Sequence, residues 1–316
     1  MQFDEKLSKG LKGRDCLCLT QFSTEELVYL MDLAAYIKEK TKKGEPYDVL
    51  KGKTLGMIFH KPSTRTRVSF EVGMVQLGGY ALFLSANELQ LGRGETIGDT
   101  AKTLSRYLDG IMIRTFSHDS VVELAENASI PVINGLTDLL HPCQVLADLF
   151  TVREKKGYLE GLKMAYIGDG NNMAHSLLTG CAMVGMDITV VTPSGYEPMQ
   201  EFVAQAKQIA QKSGSKIFIG NEITEAVKGA DIVYTDVWAS MGQEKEAATK
   251  AKLFQNFQVN SEVLQLAKQD CIVMHCLPAH RGEEITSEVM DGPNSVVFDQ
   301  AENRLHAQKG LMAAVL

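Results

Sequence analysis

The chain has 316 residues, a length that suits two domains of about 150 residues each. Hydrophobic residues make up 45% of the chain and charged residues 22%, which is typical of globular proteins and excludes a largely disordered chain. The net charge of −7, from 32 Lys and Arg against 39 Asp and Glu, excludes a broad basic surface for nucleic acid. A local cluster of positive groups must therefore hold any anion that the protein binds.

The N-terminal segment and the cysteines predict a cytoplasmic protein without a membrane span. The first ten residues, MQFDEKLSKG, are polar and contain no apolar signal core. No stretch approaches the roughly 18 apolar residues of a transmembrane helix. The cysteines form no CxxC pair, and reduced thiols are expected at all six of them: Cys16, Cys18, Cys143, Cys181, Cys271 and Cys276.

The first half of the chain begins with an amphipathic helix and continues as alternating strands and helices. Ser23 and Glu26 have the spacing of a capping box, and the apolar residues that follow predict a helix over 23–40. Short apolar runs predict strands at 54–59, 81–84, 110–114 and 131–133, and the segments between and after them predict helices at 65–77, 96–107, 119–127 and 141–153.

The second half repeats this alternation, which predicts the α/β class with two doubly wound parallel-sheet domains joined by helices. We predict a first domain over residues 1–140 together with the C-terminal helix 300–316, and a second domain over 141–299. The second half has predicted strands at 163–167, 188–191, 217–219, 232–237 and 272–275, and predicted helices at 172–184, 197–212 and 300–315.

The polar residues that follow the first strand predict a phosphate site. In such folds ligands bind beyond the carboxyl ends of strands. Residues 63–67 (STRTR) place three hydroxyls and two guanidiniums at the start of a helix, where free backbone N–H groups and the helix dipole also favour an anion. The alternative interpretation is a solvated helix cap with surface arginines.

Two further positions in the first half offer donors at strand ends. Arg114 ends the strand 110–114, where a surface charge is an equal alternative. His141 and Gln144 flank the start of the helix 141–153 and predict a second donor cluster, although a lone histidine is more often structural.

The second half offers amides, a carboxylate and a thiol at its strand ends. Residues 168–173 (GDGNNM) half-resemble the dinucleotide fingerprint, but Met173 replaces the third glycine and Thr192 stands where an acid would hold a ribose. Asp236 lies where a carboxylate can meet a cationic amine, or where it caps a helix. His275 and Cys276 are neighbours that a strand directs to opposite faces, so they form a poor metal pair.

These groups together predict the transfer of a group from a small phosphorylated donor to an amine. The phosphate site lies in the first half of the chain, and the amide and carboxylate groups that suit an amine lie in the second. No Walker motif, H-E-x-x-H or G-x-S-x-G sequence occurs.

Four motifs in this order resemble the aspartate/ornithine carbamoyltransferase family, and the resemblance covers essentially the whole chain. They are residues 63–67 (STRTR), 141–144 (HPCQ), 236–242 (DVWASMG) and 275–278 (HCLP). The last two resemble the ornithine-specific members. Cys143 departs from the threonine that is common in the family, and residues 279–281 (AHR) stand where some members have arginine directly after the proline.

The resemblance implies that the chain transfers the carbamoyl group of carbamoyl phosphate to the side-chain amine of L-ornithine, giving L-citrulline and phosphate. It also implies a C-terminal helix that packs back on the first domain, and a homotrimer with active sites shared between subunits. No metal or organic cofactor is expected, because the phosphorylated donor already carries a good leaving group. No nucleic-acid or membrane partner is expected.

The resemblance assigns two sets of binding residues and four catalytic residues. Catalysis is expected of Arg65, His141, Asp236 and Cys276. The ornithine-binding positions are Asn172, Asp236, Ser240 and Met241. The carbamoyl phosphate positions are Ser63, Thr64, Arg65, Thr66, Gln90, Arg114, His141, Pro142, Cys143, Gln144, Cys276, Leu277 and Arg304, with Gln90 reaching a neighbouring subunit's site.

Three alternative functions are considered beside this one. The nearest is a carbamoyltransferase for another amine, such as putrescine or an acylated ornithine. The second is a non-catalytic α/β protein that binds phosphorylated metabolites. The third, a nicotinamide dehydrogenase, is weakened by Met173 and Thr192. The sequence leaves open whether the reaction serves arginine synthesis or arginine breakdown.

Overall fold

A computed structural model describes residues 4–92, 94–240 and 246–316 of the chain. The chain divides into two compact units, Met1–Phe150 with Asn303–Leu316, and Thr151–Glu302. Among the described residues, no helix combines the length and the apolar character that crossing a membrane requires.

The first unit contains a four-stranded parallel sheet in the order β2-β1-β3-β4. Its strands are short runs of apolar residues, and β1 and β3 are buried almost throughout. Its strands and helices are α1 (Glu5–Leu11), α2 (Thr24–Lys42), β1 (Thr54–Phe59), α3 (Thr64–Gln76), β2 (Tyr80–Ser85), α4 (Ile97–Leu104), β3 (Gly110–Arg114), α5 (His118–Asn127), β4 (Val132–Leu136) and the first part of α6 (Pro142–Lys156).

The second unit contains a five-stranded parallel sheet in the order β7-β6-β5-β8-β9. Its strands and helices are β5 (Lys163–Ile167), α7 (Asn172–Met183), β6 (Asp187–Val191), α8 (Gln200–Ser213), β7 (Ile217–Gly220), α9 (Ile223–Val227), β8 (Ile232–Thr235), α10 (Ala247–Phe254), α11 (Ser261–Leu264), β9 (Ile272–His275), α12 (Ser287–Met290) and the first part of α13 (Val297–Val315).

The predicted α/β class is confirmed, and so is the C-terminal helix that returns to the first unit. Residues 303–316 of α13 belong to the first unit, where Met312 and Lys309 pack against Gly73 of α3. The capping box at Ser23 and Glu26 is also present. The strand predicted at 232–237 ends at Thr235, so Asp236 already lies in the loop.

The strand orders place a switch point in each sheet, where consecutive connections leave in opposite directions. In the first unit it lies between β1 and β3, and in the second between β5 and β8. Ligands of doubly wound sheets bind beyond the carboxyl ends of strands at such points. The segments after β1, β3, β5 and β8 are therefore the places to look for functional side chains.

A buried lysine ties α13 to the rest of the first unit. Lys309 is fully buried, and its Nζ donates to Thr41 Oγ1 and to Gln76 Oε1, both at 2.7 Å. Because both partners are uncharged, burial prevails and lowers the pKa of Lys309 to about 8.

We expect this lysine to make the protein more stable as the pH rises from about 8 to about 10.4, the usual pKa of an unfolded lysine. Over that range only the unfolded chain binds the proton, so the free energy of unfolding increases as the pH rises, by on the order of 2 kcal/mol in total. Urea unfolding of the wild type and of Lys309→Met at pH 7.5, 8.5 and 9.5 measures the difference. Stability curves that run parallel across this range contradict the prediction.

Candidate active site

The N-terminus of α3 presents the predicted phosphate donors at the end of β1. Ser63 caps the helix, since its Oγ accepts a hydrogen bond from the backbone N–H of Thr66 at 3.3 Å. Thr64 is exposed and Arg65 is half-buried, whereas Thr66 is almost fully buried. The first turn thus combines hydroxyls, a guanidinium and backbone N–H groups, which is the donor set that a phosphate needs.

Arg304 of α13 joins this turn to the start of α6. One of its terminal nitrogens donates to Gln144 Oε1 at 2.5 Å and the other donates to Thr66 Oγ1 at 3.3 Å. Gln144 in turn donates to Asp148 at 2.8 Å. The structure therefore brings together three of the predicted site residues from segments that lie far apart in the sequence.

His141 lies among the positive charges of this site. Its burial, followed by the nearby guanidiniums of Arg304, Arg114 and Arg65, holds the pKa of His141 well below its usual range. The imidazole is consequently neutral at pH 7, and it can donate a hydrogen bond without acting as an acid. Arg114 itself is buried at the end of β3, opposite Phe59 in the sheet register.

Other predicted residues of the first unit are placed differently. Arg67, the second guanidinium of the motif, pairs with Glu71 at 3.0 Å and stacks on Phe83, so its guanidinium is engaged with these two side chains. The buried Cys143 donates to the backbone carbonyl of Asn134 at 3.4 Å. Gln90 is exposed at the start of a short 3-10 helix, and Pro142 is buried at the start of α6.

The sheet register brings Asp236 and Cys276 together in the second unit. Thr235 at the end of β8 pairs with His275 at the end of β9, so the residues that follow them are neighbours. The Cys276 thiol donates to Asp236 Oδ1 at 2.9 Å, and the backbone N–H of Val237 donates to the same oxygen at 2.8 Å. A buried carboxylate and a thiol thus lie in contact beyond the strands.

His275 fixes the turn that carries Cys276 and Leu277. Its Nδ1 accepts from the backbone N–H of Leu277, and its Nε2 lies 2.9 Å from Glu284 Oε1 in a fully buried pair. Since Nδ1 accepts, the ring proton is on Nε2 and points to Glu284. Leu277 has a φ of 61°, an uncommon conformation for a leucine that this turn maintains.

The same contacts argue against a metal at this position. The ligand atoms of Asp236, His275 and Cys276 lie within 4.8 Å of one another. However, the imidazole has a single lone pair, and the N–H of Leu277 already occupies it. The three residues therefore fit a hydrogen-bonded arrangement better than a coordination sphere.

The residues predicted to bind the amino-acid substrate lie around the start of α7 and the end of β8. Asn172 is buried as the first residue of α7, and Ser240 is half-buried in the loop after β8. Met241 falls outside the described residues. Asn171 was not predicted, yet its Nδ2 lies 3.0 Å from Asp236 Oδ2 and 3.5 Å from Ser240 Oγ.

A buried ion pair near this loop was also not predicted. Lys250 of α10 donates to Asp169 at 2.6 Å, and both side chains are largely buried. Burial nonetheless raises the pKa of Asp169, with Lys250 opposing that shift. A sequence signal for the pair was absent because the two residues lie 81 positions apart.

Gly170 lies in the segment after β5 that half-resembles a dinucleotide fingerprint, and backbone packing accounts for this glycine. A Cβ on this residue would lie 2.3 Å from the backbone nitrogen of Pro198, and its N–H donates to Tyr196 O at 2.9 Å. The glycine therefore allows two backbones to pack closely, a role that needs no nucleotide.

Sequence models for the two domains of one enzyme family match the chain in the expected order. The "carbamoyl-P binding domain" of aspartate/ornithine carbamoyltransferase matches residues 14–154, and its "Asp/Orn binding domain" matches residues 160–315. The chain belongs to the aspartate/ornithine carbamoyltransferase family. The resemblance drawn from the four motifs is thereby confirmed.

Individual members of the family resemble the chain over nearly its full length. It is 62% identical over 306 residues to the ornithine carbamoyltransferase of Anoxybacillus flavithermus, covering 97% of this chain and 98% of that protein. The solved ornithine carbamoyltransferase of Pyrococcus furiosus has a TM-score of 0.94 and 56% identity, with 96% and 97% coverage. The anabolic enzyme of Campylobacter jejuni has a TM-score of 0.89 and 42% identity, with 95% and 97% coverage.

Proposed function

We propose that this member of the carbamoyltransferase family transfers the carbamoyl group of carbamoyl phosphate to the side-chain amine of L-ornithine, giving L-citrulline and phosphate. The observation that carries this proposal is the contact between Asp236 and Cys276. A buried carboxylate suits an acceptor that brings a cationic amine, whereas it would repel a dicarboxylic amino acid. The relatives described above are ornithine carbamoyltransferases, which supports the same acceptor.

Carbamoyl phosphate is assigned to the donors at the end of β1 and around them. Arg65 and Arg114 bind the phosphate with the hydroxyls of the α3 cap, and Arg304 holds Gln144 and Thr66 in position. The full proposed set is Ser63, Thr64, Arg65, Thr66, Gln90, Arg114, His141, Pro142, Cys143, Gln144, Cys276, Leu277 and Arg304.

The attacking amine must lose a proton before it reacts. A free alkyl ammonium has a pKa of about 10.4, so the neutral amine costs about 4–5 kcal/mol at pH 7. Asp236 and Cys276 orient the amine and hold its N–H groups, while Asn172, Ser240 and Met241 bind the rest of ornithine. Correct orientation of this kind contributes a large part of the rate of a bimolecular reaction.

Attack on the carbamoyl carbon places negative charge on the carbonyl oxygen. Arg65, Thr66 and the neutral imidazole of His141 stabilise this oxygen as donors, each contributing about 3 kcal/mol. One proton of the ammonium passes to solvent before the attack. The bond between the carbamoyl carbon and the phosphate oxygen then breaks, and the departing phosphate takes the second proton from the attacking nitrogen. The arginines hold the hydrogen phosphate that forms. Because phosphate is a good leaving group, the proposed reaction uses no metal or organic cofactor.

A colorimetric citrulline assay with purified protein tests the proposal. With carbamoyl phosphate as donor, we expect a product from ornithine and kcat/KM values for putrescine and N-acetylornithine that are at least about a hundredfold lower, because a site built for polar groups rejects analogues without them. Preferred turnover of putrescine or N-acetylornithine would identify a different acceptor. Carbamoyl phosphate binding without turnover of any amine would indicate a non-catalytic protein.

The proposal includes a homotrimer, and an exposed apolar face in the first unit supports it. One side of α3 and the adjacent edge strand β2 expose large apolar side chains, and Gln90 follows shortly after β2. An edge strand with exposed apolar side chains on it and on the adjacent helix is typical of an interface between subunits. This face consists of Val68, Val72, Val75, Tyr80, Leu82 and Phe83.

Sedimentation equilibrium tests this face directly. We expect three chains per particle for the wild type and dissociation for Val75→Glu, because a charge would have to be buried in the interface. Val28→Glu, at an exposed position of α2, is the matched control and should stay trimeric. A monomeric wild type, or an intact trimer in Val75→Glu, contradicts the assignment.

A cytoplasmic location completes the proposal. All six cysteines are free thiols, which is consistent with a reducing compartment.

A further inference from the structure

Asn171 connects the start of α7 to the carboxylate that the proposed reaction uses. Its side-chain oxygen caps the helix, since Oδ1 accepts from the backbone N–H groups of Met173 at 2.9 Å and Ala174 at 3.3 Å. Asparagine is a favoured residue at this position because it satisfies N–H groups that the helix leaves unpaired.

The other end of the same amide faces the amino-acid site. Nδ2 donates to Asp236 Oδ2 at 3.0 Å and lies 3.5 Å from Ser240 Oγ. The orientation of the amide is fixed, because Oδ1 faces the backbone N–H groups of Met173 and Ala174, which can only donate. A flipped amide would direct its NH₂ group at these two donors and its oxygen at the Asp236 carboxylate.

Asp236 is thereby held at both of its oxygens. Oδ1 accepts from the Cys276 thiol and from the Val237 N–H, and Oδ2 accepts from Asn171. The carboxylate receives its orientation from three segments of the second unit: the turn after β9, its own loop and the start of α7. Among the described residues, Asn171 is the only one that donates a hydrogen bond to Oδ2.

We propose that Asn171 is a positioning residue for Asp236 and, through it, for the attacking amine of the acceptor. This inference rests on the proposed function, because it assigns Asp236 to the amine. Asn171 thus has a role distinct from that of its neighbour Asn172, which belongs to the predicted ornithine-binding set. It makes the orientation of Asp236 depend on the geometry of the α7 N-terminus.

Two substitutions separate this role from that of helix cap. Asn171→Ser and Asn171→Thr both keep an oxygen that can cap α7, but neither retains the NH₂ group that reaches Asp236, and neither adds a charge beside that carboxylate. We expect thermal stability close to the wild type and a loss in kcat/KM for ornithine of about tenfold or more, the usual effect of losing a hydrogen bond to a charged group. The loss should fall mainly on kcat, with the KM for carbamoyl phosphate unchanged.

Asn260→Ser is the matched control. Asn260 caps α11 in the same way, with Oδ1 accepting from the Val263 N–H at 3.0 Å. The substitution repeats the chemical change at another helix cap of the same unit. It should leave both kcat and the KM for ornithine at wild-type values.

A double-mutant cycle with Asp236→Ala decides whether Asn171 acts through the carboxylate. We expect Asn171→Ser to cause little further loss in the Asp236→Ala background, since the two residues act as one group. Unchanged kinetics in both folded Asn171 variants, or an undiminished loss in the Asp236→Ala background, would overturn the inference alone. A wild type that forms no citrulline would overturn the proposed function and this inference together.

Discussion

Replacing Asp236 with asparagine is expected to lower kcat for citrulline formation by about a thousandfold, while the KM for carbamoyl phosphate changes little. Asparagine keeps the size of the side chain but removes the negative charge of the carboxylate, whose Oδ1 accepts hydrogen bonds from the Cys276 thiol and the Val237 N–H. The amine would then lack the carboxylate that orients it. Steady-state kinetics with ornithine as the varied substrate measures the effect.

Asp187→Asn provides the control for this substitution. Asp187 starts β6, and its Oδ1 accepts from the backbone N–H of Lys216 at 2.8 Å. It belongs to the same sheet but lies at the opposite, amino end of its strand. Retention of wild-type kcat by Asp236→Asn, or an equal loss in Asp187→Asn, would remove Asp236 from the chemistry.

Replacing Arg65 with lysine is the second substitution with a large expected effect, a fall in kcat of about a hundredfold. Lysine keeps the charge but loses the planar fork that binds two oxygens at once. The guanidinium of Arg65 is close enough to His141 to help depress the pKa of that imidazole. Because Arg65 is half-buried in the first turn of α3, stability should change far less than kcat.

The neighbouring arginine of the same motif offers an internal comparison. Arg67 pairs with Glu71 and stacks on Phe83, so Arg67→Lys should leave kcat within about threefold of the wild type. If Arg65→Lys were as active as Arg67→Lys, the first arginine would have no special part in binding or in catalysis.

The sequence predicted the strands well because they are short, buried apolar runs. The predictions at 54–59, 110–114, 163–167 and 272–275 match β1, β3, β5 and β9. Short helices such as α9 and α11 were missed, since four or five residues are too few to show an apolar period. The strand predicted at 232–237 overran because the β-branched Val237 follows closely after Ile232–Thr235, although β8 ends at Thr235.

The candidate site was predicted in its composition and less fully in its contacts. Motifs identified Asp236 and Cys276, but only the register of β8 against β9 places them 2.9 Å apart. The contribution of Asn171 depends on the backbone at the start of α7, which decides which of two adjacent asparagines turns toward Asp236. Its one sequence signal was the preference for asparagine at a helix cap.

The two guanidiniums of residues 63–67 show the same limit. The sequence offers both as phosphate ligands, and their helical spacing alone does not distinguish them. Glu71 lies one turn beyond Arg67 and pairs with it, whereas Arg65 lies close enough to His141 to influence the charge state of that residue. The choice between the arginines therefore depends on the groups around each of them.

A crystal structure with a bound donor analogue would show whether the N-terminus of α3 holds the phosphate of the donor. Phosphonoacetamide replaces the labile oxygen of carbamoyl phosphate with carbon, so it survives data collection. We expect its phosphonate on the hydroxyls and N–H groups of residues 63–66 with Arg65 and Arg114, and its carbonyl oxygen within hydrogen-bond distance of His141. An analogue bound elsewhere, with these residues unoccupied, would contradict the assignment of the donor site and the mechanism built on it.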